Sequence, residues 1–382
     1  MRNMRIIAAF TTGCLGLALA FAPAQAAAAP GPQVCAAAFD QTALDKALDD
    51  LAAVSSGDFK AWQEKRAVVI GFGAAAVASL EAAAVEWTPD GHRRALAAEI
   101  CRLRIAKPEL AASVDKPRGI DPETYRQFRH GRPACHRDFA HAGKEIVPLL
   151  VEALTCTLDG YRFSEGQAGK LEREALLAAL IQAPGEAADV RARFAMESAM
   201  VDAGLADNLR ALAAVSLAQC AGSKALVILV ATFDGETEPL ALREGAGLAL
   251  GWIAEKTALD AIKVRLEGES TRADGEQATR LRCALFAALG NLGGSWAWQS
   301  RGAEQLELSL EIRKGCAELL VAGLRSFCGD KDVIRDALCL VAWRDSLKTV
   351  KALSEDNTAT QAARDAAKAI MPLLEMAVAR EK

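Results

Sequence analysis

The stretches RALAAVSLA (Arg210–Ala218), REGAGLALG (Arg243–Gly251) and RCALFAALG (Arg282–Gly290) share one short pattern. In each, an arginine is followed three residues later by alanine or leucine, and then by two adjacent small or aliphatic residues. Related stretches begin at four further arginines, Arg94, Arg173, Arg335 and Arg364. Four of the six steps between successive arginines are 29 to 39 residues long, which is the length of a helix pair with its turns. The pattern therefore predicts a chain built from helical repeats.

The composition favours the same fold. Apolar residues make up 52% of the 382 residues, whereas aromatic residues make up only 5%. Alanine, the strongest helix former, accounts for about a fifth of the chain. β-Sandwiches and barrels need many β-branched and aromatic residues, which are scarce here. An all-α protein is expected.

A second apolar helix precedes most of the arginine stretches, as in GKEIVPLLVEAL (143–154) and SKALVILVATF (223–233). Each unit is therefore read as helix, short polar turn, helix. Neither helix can bury its apolar face alone, so the units are expected to stack as antiparallel helix pairs into an α-solenoid.

These units resemble the short bacterial form of the HEAT repeat family. The likeness is carried by GKEIVPLLVEAL, ALREGAGLALGWI and RLRCALFAALGNLGG, and it extends over about residues 71–376 apart from two insertions. It implies the α-solenoid fold and says almost nothing about function. Near the start of a second helix, the repeated arginine is expected to pair with an acidic turn residue of an adjacent unit, or to remain a solvated charge as at Arg173.

The sequence predicts seven segments. They are a signal peptide (1–26), an N-terminal helical cap (27–70), a first repeat (71–106), an insertion rich in Pro, Arg and His (107–142), a block of repeats (143–294), a Trp-containing insertion (295–310) and C-terminal repeats (311–382).

The first 26 residues have the layout of a secretory signal peptide. Arg2 and Arg5 precede an apolar run, and Ala24-Gln25-Ala26 forms a small-residue cleavage site. Cys14 lies inside the apolar run, which disfavours lipidation there. We expect an exported, periplasmic or secreted chain without a transmembrane segment. Its net charge of −4, which becomes more negative on cleavage, disfavours binding to nucleic acid.

The first insertion contains donors that could hold a metal. His130, Cys135, His136 and His141 place four nitrogen or sulfur ligands within twelve residues, a set that suits zinc or copper. The spacing matches no established metal motif. The alternatives are a solvated basic loop, or a contact with an anion or acidic partner through Arg126, Arg129 and Arg132.

The second insertion contains Trp296 and Trp298 in a loop flanked by glycine. Exposed aromatic side chains often anchor partners. The alternative is that both rings pack under the neighbouring helix pair as a hydrophobic plug.

Cleavage would leave nine cysteines, so at least one thiol is expected to lack an intramolecular partner. Cys101, Cys220, Cys283 and Cys339 fall on apolar helical faces and are read as small buried hydrophobes, with disulfide bridging as the alternative. Cys316 and Cys328 are close enough in sequence to join two neighbouring helices.

No catalytic motif is present: there is no Walker loop, no Gly-x-Ser-x-Gly and no His-Glu-x-x-His. The HEAT family includes iron enzymes resembling deoxyhypusine hydroxylase, whose metal is held by His-Glu pairs, and this chain has no His-Glu dipeptide. We therefore expect no enzymatic activity and no cofactor. The leading hypothesis is an exported scaffold for protein partners. The alternatives are a metal-binding envelope protein using the 130–141 segment, and a structural spacer.

Overall fold

The computed structural model describes residues 39–55, 58–85, 91–115, 134–157, 166–268, 275–295, 306–326 and 329–380. Within these ranges every regular element is helical and no strand occurs, which confirms the all-α prediction. The described residues divide into two compact units, one comprising 39–55 and 60–106 and the other comprising 58–59 and 107–380.

The first unit combines the predicted cap with the predicted first repeat. Its helices are α1 (Gln41–Ala52), α2 (Phe59–Ile70, whose first residue belongs to the second unit), α3 (Val77–Ala83) and α4 (His92–Ala106). The Asp40 carboxylate accepts a hydrogen bond from the amide of Ala43, so α1 begins with a side-chain N-cap. Both α1 and α3 pack on α4. Leu44, Leu48 and Leu51 of α1 are buried in this core.

The second unit contains fourteen further described helices. They are α5 (Pro108–Asp115), α6 (Ala134–Ala142), α7 (Val147–Glu152), α8 (Gly166–Glu186), α9 (Arg193–Val201), α10 (Asp207–Ala221), α11 (Leu226–Asp234), α12 (Leu240–Leu250), α13 (Lys256–Glu267), α14 (Glu276–Gly293), α15 (Leu306–Ser326), α16 (Lys331–Val341), α17 (Arg344–Glu355) and α18 (Gln361–Arg380).

Six of these helices form one continuous packed series. In order they are α8, α10, α12, α14, α16 and α18, and each packs on the next; we call them the central helices. The helices between them, α9, α11, α13, α15 and α17, each pack on the central helix that follows, and we call these the flanking helices. Because a central helix is covered by neighbours on several sides, eight of the eleven residues of α12 are buried.

Glycine permits close approach at four successive contacts between central helices. A Cβ on Gly245 of α12 would lie 2.6 Å from the Cα of Ala211 in α10, and one on Gly290 of α14 would lie 2.8 Å from the Cα of Ala337 in α16. Gly185 in α8 faces Ser216 of α10, and Gly251 after α12 faces Ala288 of α14. Any larger side chain at these positions would push two backbones apart.

A left-handed residue followed by a short 3-10 turn recurs between helices. Gly73, Gly143 and Gly222 have φ values of +62°, +63° and +56°, and each opens a four-residue 3-10 turn that continues into an α-helix. Glycine suits this conformation because it has no Cβ to clash with the backbone. The fourth turn residue, Ala76, Ile146 or Ala225, is buried.

The two predicted insertions differ from expectation where they are described. A loop was expected across 107–142, but Pro108–Asp115 and Ala134–Ala142 are helical. Pro108 occupies the first position of α5, where a missing amide hydrogen costs nothing. The Trp-containing insertion was expected to reach residue 310, but α15 already begins at Leu306.

One helical run among the described residues, Asp207–Asp234, is long and apolar enough by composition to cross a membrane. Gly222 interrupts this run with a left-handed backbone, so it consists of α10, a 3-10 turn and α11. Its buried apolar residues pack against α8, α9 and α12. Within the fold, 44% of its most apolar window is buried, and the absence of a transmembrane segment stays a prediction.

Candidate interaction surface

Several residues singled out in the sequence lie outside the described residues. These are Trp296, Trp298, Arg126, Arg129, Arg132 and His130. Cys135 belongs to α6, but its side chain also lies outside the description, as does all of Cys328.

His136 and His141 share α6 but occupy different surroundings. The His136 ring is only 1% exposed, with its Nε2 3.3 Å from a carboxylate oxygen of Glu186 in α8, whereas His141 is exposed. The geometry of the Nε2–carboxylate contact does not satisfy a hydrogen bond. No group of three potential metal ligands forms within the described ranges. A metal site would have to be completed by His130 or Cys135, and it stays a prediction.

Two of the repeated arginines act as clamps on helix ends. The Nε of Arg210 in α10 donates to the carbonyl of Met200 at the end of α9, at 2.9 Å. The Nε of Arg243 in α12 donates to the carbonyl of Phe233 at the end of α11, at 2.8 Å. The last carbonyls of a helix lack partners within that helix, so each guanidinium satisfies one of them. Both arginines are buried, and each joins a flanking helix to the central helix that follows it.

The expected pairing with acidic residues holds for some repeat arginines and fails for others. Arg210 also lies 3.1 Å from the carboxylate of Glu238, in the turn before α12. Arg94 pairs with Asp45 and Asp49, but these belong to helix α1 and not to a turn. For Arg243 the expectation is wrong, because the group that it contacts is a main-chain carbonyl.

Two of the remaining repeat arginines, Arg335 and Arg364, contact groups in their own helix or in the turn just before it. Arg335 pairs with Asp332 and Asp336 of its own helix. Arg364 donates to carbonyls of the turn before α18, including that of Asp356 at 3.3 Å. Arg173 is exposed and Arg282 is half-buried.

The sequence pattern did not identify Arg313, which forms a third clamp. This buried side chain of α15 donates to the carbonyls of Val341 and Ala342, at the end of α16. It clamps a following helix, whereas Arg210 and Arg243 clamp a preceding one. Because it lies on a flanking helix and outside the repeated motif, no spacing rule could have found it.

Partly exposed side chains mark one strip along the central helices. We call this set the central strip; its members are Glu174, Asn208, Ala211, Glu244, Arg280 and Ala287. Asn208 of α10 donates to the carboxylate of Glu174 in α8, at 2.9 Å. Arg280 of α14 makes two bonds of 2.6 Å to the carboxylate of Glu244 in α12, and these bonds raise the pKa of Arg280. Polar groups of neighbouring helices are thus held in fixed positions.

The five cysteines whose side chains are described form no disulfide. Cys101, Cys220, Cys283 and Cys316 are buried and Cys339 is partly exposed, so the reading of Cys101, Cys220, Cys283 and Cys339 as unbridged is confirmed, although Cys339 is not fully buried. Cys316 forms no disulfide in this structure, and Cys328, its suggested partner, lies outside the described residues.

Burial makes these thiols hard to ionise. It raises the pKa of Cys220 from 9.0 to about 12 and that of Cys283 to about 11. We expect iodoacetamide at pH 8 to modify Cys339 first and to leave Cys220 unmodified, as read by mass spectrometry, with complete labelling in denaturant as the control. Equal labelling rates at Cys220 and Cys339 would contradict this prediction.

The raised pKa also affects stability. The stability that Cys220 contributes as a protonated thiol is fully present below pH 9.0 and is lost as the pH rises towards about 12.

Comparison with known proteins gives little further information. No family model and no curated protein matches the chain. Among solved structures, human deoxyhypusine hydroxylase in complex with glycerol aligns with 14% identity and a TM-score of 0.28, over 87% of this chain and 96% of that chain. Values this low do not establish a shared fold or activity.

Proposed function

We propose that this chain is an exported, HEAT-like α-solenoid that serves as a scaffold for a protein partner. The observation that carries the proposal is the series of six central helices, each packed on the next and each but the first preceded by its own flanking helix. Stacks of this kind present long continuous surfaces along which an extended partner can bind. The signal-peptide pattern of residues 1–26 supports a location in the cell envelope or outside the cell.

The central strip is the proposed contact surface. Its carboxylates, amide and guanidinium are held by bonds between neighbouring helices, so little side-chain entropy would be lost on binding. The strip contains both charges, which suits a polypeptide with alternating acidic and basic side chains. Trp296 and Trp298 follow α14 in the sequence and lie outside the described residues, and they are proposed as apolar anchors for the partner.

Site-specific photo-crosslinking tests the surface directly. A photoreactive residue at Asn208 or Ala287 of the central strip is expected to capture one and the same protein in the native cell envelope. Val227 and Lys263, which are exposed on flanking helices, are the matched control positions. Capture of the same protein with equal yield from the control positions, or no capture from the strip, would overturn the proposal.

The double variant Trp296→Ala/Trp298→Ala tests the anchor. We expect the affinity for the captured partner to fall at least about tenfold, because buried aromatic anchors commonly contribute 2 kcal/mol or more to binding. Titration of the purified partner measures the loss, and an unchanged thermal unfolding curve excludes misfolding. Val227→Ala is the control for removal of an exposed apolar side chain. Unchanged affinity of the double variant would remove these two residues from the contact surface.

A further inference from the structure

The last central helix, α18, exposes an apolar face. Its buried face consists of Ala363, Ala367, Ile370, Leu374 and Val378, and the helix packs on α15, α16 and α17. The opposite face carries apolar residues that are accessible to solvent, including Leu373 at 40% and Met376 at 51% exposure. Further members of that face are Ala362, Ala369, Pro372 and Ala379.

This face differs from those of the earlier central helices. Among the described residues, helices α10, α12, α14 and α16 each have a central helix packed on both sides, whereas α18 has α16 on one side alone. The helix that terminates a stack of repeats ordinarily presents a polar outer face, because nothing further covers it. An apolar outer face therefore indicates that another surface covers it.

The charged residues on the exposed side of α18 indicate which kind of surface would be complementary to it. Along the helix they are Asp365, Lys368, Glu375 and Arg380, so the signs run negative, positive, negative, positive. Lys368 and Glu375 form no hydrogen bond or ion pair within the described residues. Reading the helix in the opposite direction exchanges every sign. This charge order is complementary to itself in an antiparallel pairing and repulsive in a parallel one.

We propose that α18 pairs with α18 of a second copy of this chain, antiparallel and around a two-fold axis close to Pro372. The interface is isologous, so each contact occurs twice. The proposal concerns self-association and does not depend on the central strip or on its partner.

The spacing of the charged residues fits one such axis. Lys368 faces Glu375 of the second copy if the axis crosses midway between them, and Asp365 faces Arg380 if the axis crosses midway between those two. The two midpoints differ by one residue, about 1.5 Å along the helix, so a single register brings both pairs to matching levels along the helix axis. Lys368 and Glu375 lie two helical turns apart on one flank, and an antiparallel two-fold brings the same flanks together.

The apolar residues fill the centre of this register. Pro372 lies at the axis, and Leu373 and Met376 of each copy lie between the two outer ion pairs, in which Asp365 of one copy faces Arg380 of the other. Ala369 provides the small side chain against which Met376 of the second copy packs, because this register places residues 367–369 opposite residue 376. A contact between single helices buries less area than a standard interface of about 1,600 Å², so the dimer is expected to be weak and concentration-dependent.

Sedimentation velocity of the full chain over a range of concentrations tests the pairing. The expected result is a monomer–dimer equilibrium that Leu373→Glu/Met376→Glu abolishes. Val227→Glu is the matched control, since Val227 is 79% exposed on α11 and its replacement adds the same type of charge. Circular dichroism and thermal unfolding must show that the variants keep their helical fold. A wild-type chain that remains monomeric at its highest soluble concentration would overturn the proposal, and would indicate that another protein or another segment of this chain covers α18.

Charge reversal tests the register independently of apolar packing. Lys368→Glu and Glu375→Lys are each expected to weaken self-association at least tenfold, because like charges then face each other twice. A mixture of the two single variants is expected to form heterodimers, since the charges are complementary again, and the double variant is expected to regain self-association. If the mixture fails to associate, or if neither single variant weakens the dimer, the antiparallel register is wrong.

Discussion

Arg243→Ala is expected to lower the free energy of unfolding by about 3 kcal/mol. The side chain is only 2% exposed, and its Nε satisfies the carbonyl of Phe233 at 2.8 Å. Truncation leaves that carbonyl at the end of α11 without its partner and opens a cavity between α11 and α12. The unpaired carbonyl and the cavity both weaken the contact between α11 and α12, and urea unfolding followed by circular dichroism measures their combined effect on stability.

Arg173→Ala is the matched control, because Arg173 occupies the same position of the repeated motif but is exposed. Its replacement is expected to change stability by no more than about 0.5 kcal/mol. Arg243→Lys keeps a charge and a donor but not the planar guanidinium, so an intermediate loss is expected. If the two alanine variants lost equal amounts of unfolding free energy, the arginines would stabilise the protein through helix propensity and not through hydrogen bonds to helix-end carbonyls.

Gly251→Ala is expected to destabilise the protein by about 2–3 kcal/mol, although alanine is the better helix former. Gly251 has φ −68° and ψ −16°, which alanine adopts readily, so backbone strain plays no part. The added Cβ would overlap the carbonyl oxygen of Ala288 and lie 2.6 Å from its Cα. Neither atom is at the end of a mobile side chain, so α12 and α14 would have to separate. Thermal and urea unfolding both report this loss.

Gly268→Ala is the control for this change. Gly268 follows α13 in an extended conformation, and the nearest atom to an added Cβ is the carbonyl oxygen of Arg265 at 3.4 Å, an ordinary contact. We expect a change within about 0.5 kcal/mol. A neutral Gly251→Ala variant would show that α12 and α14 can move apart at little cost, which is incompatible with the close approach described above.

The sequence predicted the helical class and the periodic apolar faces because both depend on local composition and spacing. It did not predict what each arginine contacts. The guanidinium lies at the end of a long side chain, and a small change in the angle between helices decides whether it meets a carboxylate, as at Arg94, or a carbonyl, as at Arg243. This angle depends on the tertiary packing of each unit.

A further local signal was present in the sequence but was not used. Gly73, Gly143 and Gly222 each precede two residues, then a small or aliphatic residue, then valine or leucine. This order corresponds to the left-handed turn and 3-10 segment that start a flanking or equivalent helix. The 107–142 region was assigned as a loop from its prolines and charges, yet Pro108 begins a helix and His136 is buried in another. Proline content excludes one continuous helix without excluding short ones.

The direction of the clamps has a consequence for the order of folding. Arg210 and Arg243 each reach a carbonyl ten residues earlier in the chain, so their contacts can close as soon as their own helix pair has been synthesised. Loops of this length close within about 100 ns, far faster than translation. Arg313 instead depends on carbonyls 28 and 29 residues later. The contacts of Arg313 with Val341 and Ala342 can therefore form only after α16 has been synthesised and has packed against α15.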